Sequence, residues 1–286
     1  MKILLCTSLL LLALASPLAA ETALQPHAVL DAHGDALSPS AGFDMMLNAG
    51  FAPDGRTVYF TEAKRDWSRL ALFQADVAGD RWSNVTPLSF SDPRYRDTDP
   101  AVSAEGTMIV FASDRPLPGQ NYDPNAFAYH LWTVRKTADG WSGAHPLDDP
   151  ANTLAPVLYP ALDNNGTLYF MRITKDVALI YRSAPTPQLL NFPGVKSALD
   201  GSVSPDGGRL AFVAAVTIDG KPRTRLFLAS RTGDAWNASP FAIDGLVSGP
   251  AATAFSRDGK RIYFAGSMNN GDAPAKPGIF YIDVPA

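Results

Sequence analysis

The chain is short of sulfur, of positive charge and of long apolar runs. Its only cysteine, Cys6, sits at the start of the apolar stretch 3–15. A lipid-attachment cysteine would have to follow that stretch, so Cys6 is read as part of a secretory leader spanning 1–20, with cleavage before Glu21. The stretch is too short to cross a bilayer as a helix. A mature chain beginning at Glu21 would hold no thiol, which excludes disulfides and cysteine chemistry. Without Lys2 the count is 23 basic against 28 acidic side chains. That balance argues against nucleic acid and anionic lipid as partners, because both require a basic footprint. There is no Gly-x-Ser-x-Gly elbow and no phosphate-cradling glycine loop ahead of a helix. Neither a catalytic residue set nor a cofactor is expected.

What the chain does have is a phrase written five times. Each copy is a small or polar residue and a turn centred on Gly, followed by an apolar run ending in Phe. The copies run over 52–60, 103–111, 163–170, 204–212 and 256–264. Their glycines, Gly55, Gly106, Gly166, Gly207 and Gly259, are separated by 51, 60, 41 and 52 residues, which is the period of a repeat architecture. Pro presets φ in such a turn, Asp or Asn bonds nearby backbone, and Gly takes the left-handed conformation that closes a hairpin. The strands entered, such as Val58-Tyr59-Phe60 and Ile109-Val110-Phe111, are continuously apolar, as required where both faces of a sheet are covered.

A second segment recurs downstream, at 70–73, 131–134, 179–182, 226–229 and 279–282, and reads as a third strand. Outer strands follow at Trp82, Trp141 and Trp236, while in the third repeat 187–190 must serve without a Trp. Only four residues remain after Ile282, but a spare strand-like piece, His27-Ala28-Val29-Leu30, lies near the start. The expected fold is therefore an all-β propeller of five four-stranded blades in one domain, 21–286, whose last blade is completed by that N-terminal strand. Closing the ring removes two open sheet edges. A sixth blade within the 60-residue step or within 31–48, and a two-sheet sandwich with similar turns, are the alternatives.

Seven residues before each signature glycine stand Asn48, Asp99, Tyr159, Asp200 and Ala252, where the chain should enter the innermost strands. In that register the side chains gather near one mouth of the central channel. Asp99 and Asp200, with Arg115 nearby, would suit a polar ligand or a cation. The plainer reading is that the two acids only bond blade-entry backbone. A glycosidase would also need two acids, but nothing singles out a catalytic pair among 28. His27, Asp31, His33 and Asp35 fall close together, yet their spacing matches no strong metal motif, and no metal site is assigned. Trp67, flanked by Arg65, Asp66 and Arg69, is the tryptophan not explained by blade packing. With Tyr122 and Phe127 in the long loop 116–129, it is the candidate exposed contact.

Ser-Pro-Asp-Gly at 204–207, the stretch Phe111-Ala112-Ser113-Asp114-Arg115-Pro116 backed by Leu131-Trp132, and Gly140-Trp141 leading to Pro146-Leu147 together resemble the WD40-like PD40 repeat of TolB-type propellers. The resemblance covers nearly all of 27–283. Only the second repeat carries the full Ser-Asp-Arg signature, the third lacks one residue after its Gly, and no counterpart of the N-terminal α/β domain of TolB is present. The resemblance implies a stand-alone, exported, periplasmic propeller that binds a protein or cell-envelope ligand without catalysis, acting as a monomer. A carbohydrate-active or other hydrolytic enzyme working through the channel acids is the competing expectation.

Overall fold

A computed structural model describes residues 23–285 apart from 176, 184, 219 and 270–274. The leader and Cys6 lie outside the described residues. The short strand β1 (His27–Ala28) precedes the first repeat. The first blade holds β2 (Met45–Phe51), β3 (Thr57–Ala63), β4 (Leu70–Ala78) and β5 (Arg81–Pro87). Blade 2 contains β6 (Asp97–Val102), β7 (Met108–Ser113), β8 (His130–Thr137) and an outer strand split into β9 (Gly140–Trp141) and β10 (His145–Pro146). Blade 3 has β11 (Val157–Leu162), β12 (Leu168–Ile173), β13 (Ala178–Arg182) and β14 (Gln188–Leu189). Blade 4 comprises β15 (Leu199–Val203), β16 (Arg209–Ile218), β17 (Lys221–Thr232) and β18 (Ala235–Phe241). In blade 5, β19 (Leu246–Phe255), β20 (Arg261–Met268) and β21 (Pro277–Asp283) are joined on the outside by β1.

All five sheets are antiparallel and stand in a ring, so the fold is a five-bladed β-propeller. The repeated phrase is the turn between the first and second strand of every blade, and its five glycines have φ between 66° and 77°. At Gly106 the constraint is doubled. Its φ is 69°, and a Cβ there would lie 2.7 Å from the ring of Pro53 in the preceding turn. Second-strand phenylalanines Phe60, Phe111, Phe170, Phe212 and Phe264 are all fully buried between sheets. Three of the outer-strand or third-strand tryptophans, Trp82, Trp132 and Trp236, are likewise buried.

His27 pairs with Tyr281 and Ala28 with Phe280, so β1 is the fourth strand of blade 5. The same segment bridges further: Leu24 pairs with Ile243 beyond blade 4, and Leu30 with Arg81 in blade 1. It thus touches three consecutive blades across the point where the chain meets itself. The region 31–48, one place where a sixth blade is an alternative, forms instead the crossover and the first residues of β2, and Ser40 is pinned there by the buried Glu62 carboxylate.

Candidate functional site

The two faces of the ring are built differently. One, here the lower face, carries the Gly turns and the third-to-fourth-strand hairpins. The upper face carries the second-to-third-strand connections and the crossovers between blades.

At the axis, each innermost strand is broken by a bulge in its register with the second strand. The residue at the break has positive φ in all five: Asn48 (40°), Asp99 (57°), Tyr159 (51°), Asp200 (56°) and Ala252 (57°). Asn and Asp tolerate that conformation, whereas Tyr and Ala are strained in it. The bulges turn backbone N–H groups towards the preceding blade, and side chains there receive them. The amide of Asp99 donates to the Thr61 hydroxyl (3.0 Å), that of Tyr159 to the Asp99 carboxylate (3.1 Å), and that of Ala252 to the Asp200 carboxylate (2.9 Å). The Tyr159 hydroxyl donates to Asp200, and the Thr253 hydroxyl to the carbonyls of Asp200 and Ala211. A belt of ties therefore runs from blade 1 to blade 5. It stops at Ala252, which has no acceptor to offer blade 1, and Asn48 Oδ1 is left buried without a partner.

Among the described residues no cation pairs with the two acids. Asp99 is 3% exposed, and burial together with the charge of Asp200 pushes its carboxyl up to about 7. Burial pushes Asp200 in the same direction, opposed by the Ala252 amide and the Tyr159 hydroxyl. The cavity below them, lined by Asn48, Asp99, Tyr159, Ser202, Thr253 and Arg257 among others, measures about 70 Å³. That is room for a few waters; pockets that take organic ligands are commonly about 300–1,000 Å³. Its lower mouth is crossed by Arg257, whose Nη2 donates to the Ala104 carbonyl of blade 2 at 3.2 Å. Sequence reasoning passed over Arg257. The available signal was its place in the phrase, where the other copies have Pro53, Ala104, Asn164 and Pro205.

Arg115 does not line this cavity. It is turned onto Asp97, with Nη2 2.6 Å from Oδ2 and Nε 3.1 Å from Oδ1, and its Nη2 also donates to the Phe90 carbonyl. Its guanidinium lies over the rings of Phe111, Trp132 and Tyr95. Burial pushes the Asp97 carboxyl up, against the pull of Arg115, the Ser113 hydroxyl and the Asp92 amide. Tyr122 is also engaged: its hydroxyl donates to Asp114 at 3.2 Å and its ring meets Tyr95 edge-on. Asp114 in turn holds Arg96 at 2.6 Å, and Arg96 reaches the carbonyls of Pro124 and Ala126. The long loop is tied down by charged side chains flanking it, Asp114 and Arg96.

Trp67 differs. It is 51% exposed, with φ of 60°, at the tip of the β3–β4 connection on the upper face. Phe127 (53%), Leu199 (38%) and Val247 (62%) are the other large apolar side chains exposed on that face. The remaining one among the described residues, Leu189, is on the outer strand of blade 3. Near the N-terminus, His27 stacks on Tyr281 and Asp31 Oδ1 accepts the amides of His33 and Asp35. Among the described residues no three His, Cys, Asp or Glu side chains are grouped to hold a metal.

Comparison with solved structures places the fold among propellers. The chain is similar to TolB from Acinetobacter baumannii, with a TM-score of 0.52 and 15% identity, over 85% of this chain and 55% of that one. It spans about half the length of that TolB. It is also similar to the α-L-arabinofuranosidase PaAbf62A from Podospora anserina, solved with cellotriose, with a TM-score of 0.55 and 11% identity over 92% and 96% of the two chains. No protein-family model matches the sequence, so a PD40 repeat family is not established, and no curated protein matches it. At such identities the likeness is one of fold: this chain shares the architecture of TolB and of that arabinofuranosidase.

Proposed function

We propose that this protein is an exported, periplasmic, non-catalytic propeller of TolB-like kind that binds a protein partner or cell-envelope ligand through its upper face. One observation carries the reading. Four of the five large apolar side chains exposed among the described residues stand on that face, whereas the lower face is made of short polar turns. Apolar side chains held out in water on one side of a rigid ring favour association. Trp67 is the expected anchor, because an exposed tryptophan on a short hairpin offers large contact area at small entropic cost.

The hydrolase alternative draws on the arabinofuranosidase likeness and on the two axial acids. Against it, both carboxylates already accept backbone amides, and the cavity beside them is too small for a sugar chain. Pull-down from an envelope extract tests the reading, with Trp67→Ala as the control. A partner recovered by the wild type and lost by the variant supports it. Recovery of nothing specific, or recovery indifferent to Trp67, counts against it.

A further inference from the structure

Blade 4 has the longest paired second-to-third-strand hairpin among the described residues. Its β16–β17 hairpin pairs from Arg209↔Ser230 out to Ile218↔Lys221, and the outer pairs extend beyond the buried part of the blade. Side chains alternate across a strand, so each hairpin face can be followed upward from the core. Phe227 packs towards blade 3, in the cluster with Tyr169, Ile180 and Phe192. Lys221, Arg223 and Arg225 share its face, and the cross-strand partners Val216 and Ile218 share it too. This surface leans out over blade 3, whose own upper connection, 174–177, is short. That connection carries the exposed Lys175, and the exposed Lys196 is next to Ser197 and Ala198, which bond the backbone of Ala178.

The result is a sheet face with two half-buried apolar side chains set in a basic field, on a chain whose net charge is −4. Among the described residues no carboxylate pairs with Lys175, Lys196, Lys221 or Arg223, although ion pairs are made by arginines elsewhere. The sequence supplies Asp176 and Asp219 in the same two connections, outside the described residues, against the five cations Lys175, Lys196, Lys221, Arg223 and Arg225. The sector is therefore basic in a protein that is acidic as a whole.

We propose that the blade-3-facing side of the β16–β17 hairpin, with Lys175 and Lys196, is a docking surface for a short acidic segment of a partner protein carrying interspersed apolar side chains. The inference rests on the upper-face reading above and names the partner's chemistry. Carboxylates of the segment meet Arg223, Lys221 and Lys196, and its apolar side chains cover Val216 and Ile218. Complementary charge of this kind governs encounter and orientation, and apolar contact supplies residence.

The test uses fluorescein-labelled peptides alternating Glu and Leu, with a Lys-and-Leu peptide as control, and measures anisotropy with the full mature chain. The acidic peptide is expected to bind, to shift the methyl signals of Val216 and Ile218, and to weaken about tenfold or more between about 0.05 and 0.5 M salt. A Lys196→Glu, Arg223→Glu double variant with unchanged melting temperature is expected to lose binding by a similar factor. Ile218→Ser gives a second, uncharged probe of the same surface. Absence of acidic-peptide binding, or binding indifferent to the double variant, overturns the inference. So does binding of phosphatidylglycerol vesicles in place of the peptide, which would assign the patch to a membrane. If the envelope partner is lost with Trp67→Ala but kept by the double variant, this inference falls and the upper-face function stands. No partner and no peptide binding together overturn both.

Discussion

Blade 2 sends a long second-to-third-strand loop and blade 4 an extended second-to-third-strand hairpin to the upper face, and the two treat cations there in opposite ways. In blade 2 the arginines are consumed internally. Arg96 is held by Asp114, and Arg115 by Asp97, so that the segment 114–129 becomes part of the packed blade. In blade 4, Lys221 and Arg223 have no carboxylate among the described residues and stand out on an extended hairpin. Residue type and exposure on a loop are thus poor guides to function by themselves. What separates a structural arginine from one available to a partner is whether an acid in the same blade has already claimed it.

The sharpest way to break this contrast is Arg115→Ala. It leaves Asp97, wholly buried, without its counter-charge, and a loss of about 3–5 kcal/mol in denaturant unfolding is expected. A loss below about 1 kcal/mol would mean that blade 2 does not depend on its internal pair. Two residues along the same strand, Asp99 provides the matching case of a buried acid with no cation beside it among the described residues. Its carboxyl is raised from 3.8 to about 7, so the folded state keeps a proton that the unfolded chain releases. The stability it contributes is full below pH 4 and is lost as pH rises towards 7, on the order of a few kcal/mol. Asp99→Asn should therefore flatten the fall in melting temperature between those pH values; an unchanged slope would refute the protonated state.

On the lower face, Gly106→Ala places a side chain at φ 69° and against Pro53. A cost of about 1–3 kcal/mol is expected from unfolding curves. Trp67→Gly should do the reverse, raising stability by up to about 1 kcal/mol through relief of its positive φ while abolishing partner binding. Smallest of all, Lys221→Glu with Arg223→Glu should leave stability within about 0.5 kcal/mol, since those side chains hold nothing together. A larger loss would show that the blade 4 hairpin is knit by its charges after all, as the blade 2 loop is.

Much of the scaffold was legible because its signals are local. A turn that needs Gly at positive φ, followed by residues that must be apolar on both faces, announces itself in eight or nine consecutive positions, and repetition multiplies the signal. The register seven residues ahead of each glycine identified the five axial positions, and all five carry the same bulge. Their plainer role, receiving blade-entry amides, is what the geometry displays for Asp99 and Asp200. Arg115 and Tyr122 were harder to read, because their partners Asp97 and Asp114 sit on different strands or distant loop positions whose approach depends on the blade being folded.

The sequence by itself determined the repeat, the turns, the buried strands and the acidic balance of the chain, since each follows from short-range periodicity or simple counting, and it favoured five blades while leaving six open. Only the tertiary structure decided which charges meet. It turned Arg115 inward, laid Arg257 across the channel mouth, stranded Asn48 Oδ1 at the seam and left Lys221 and Arg223 clear of any described acid. Electrostatic pairing depends on distances between segments far apart in the chain, and those distances exist only once the ring has closed.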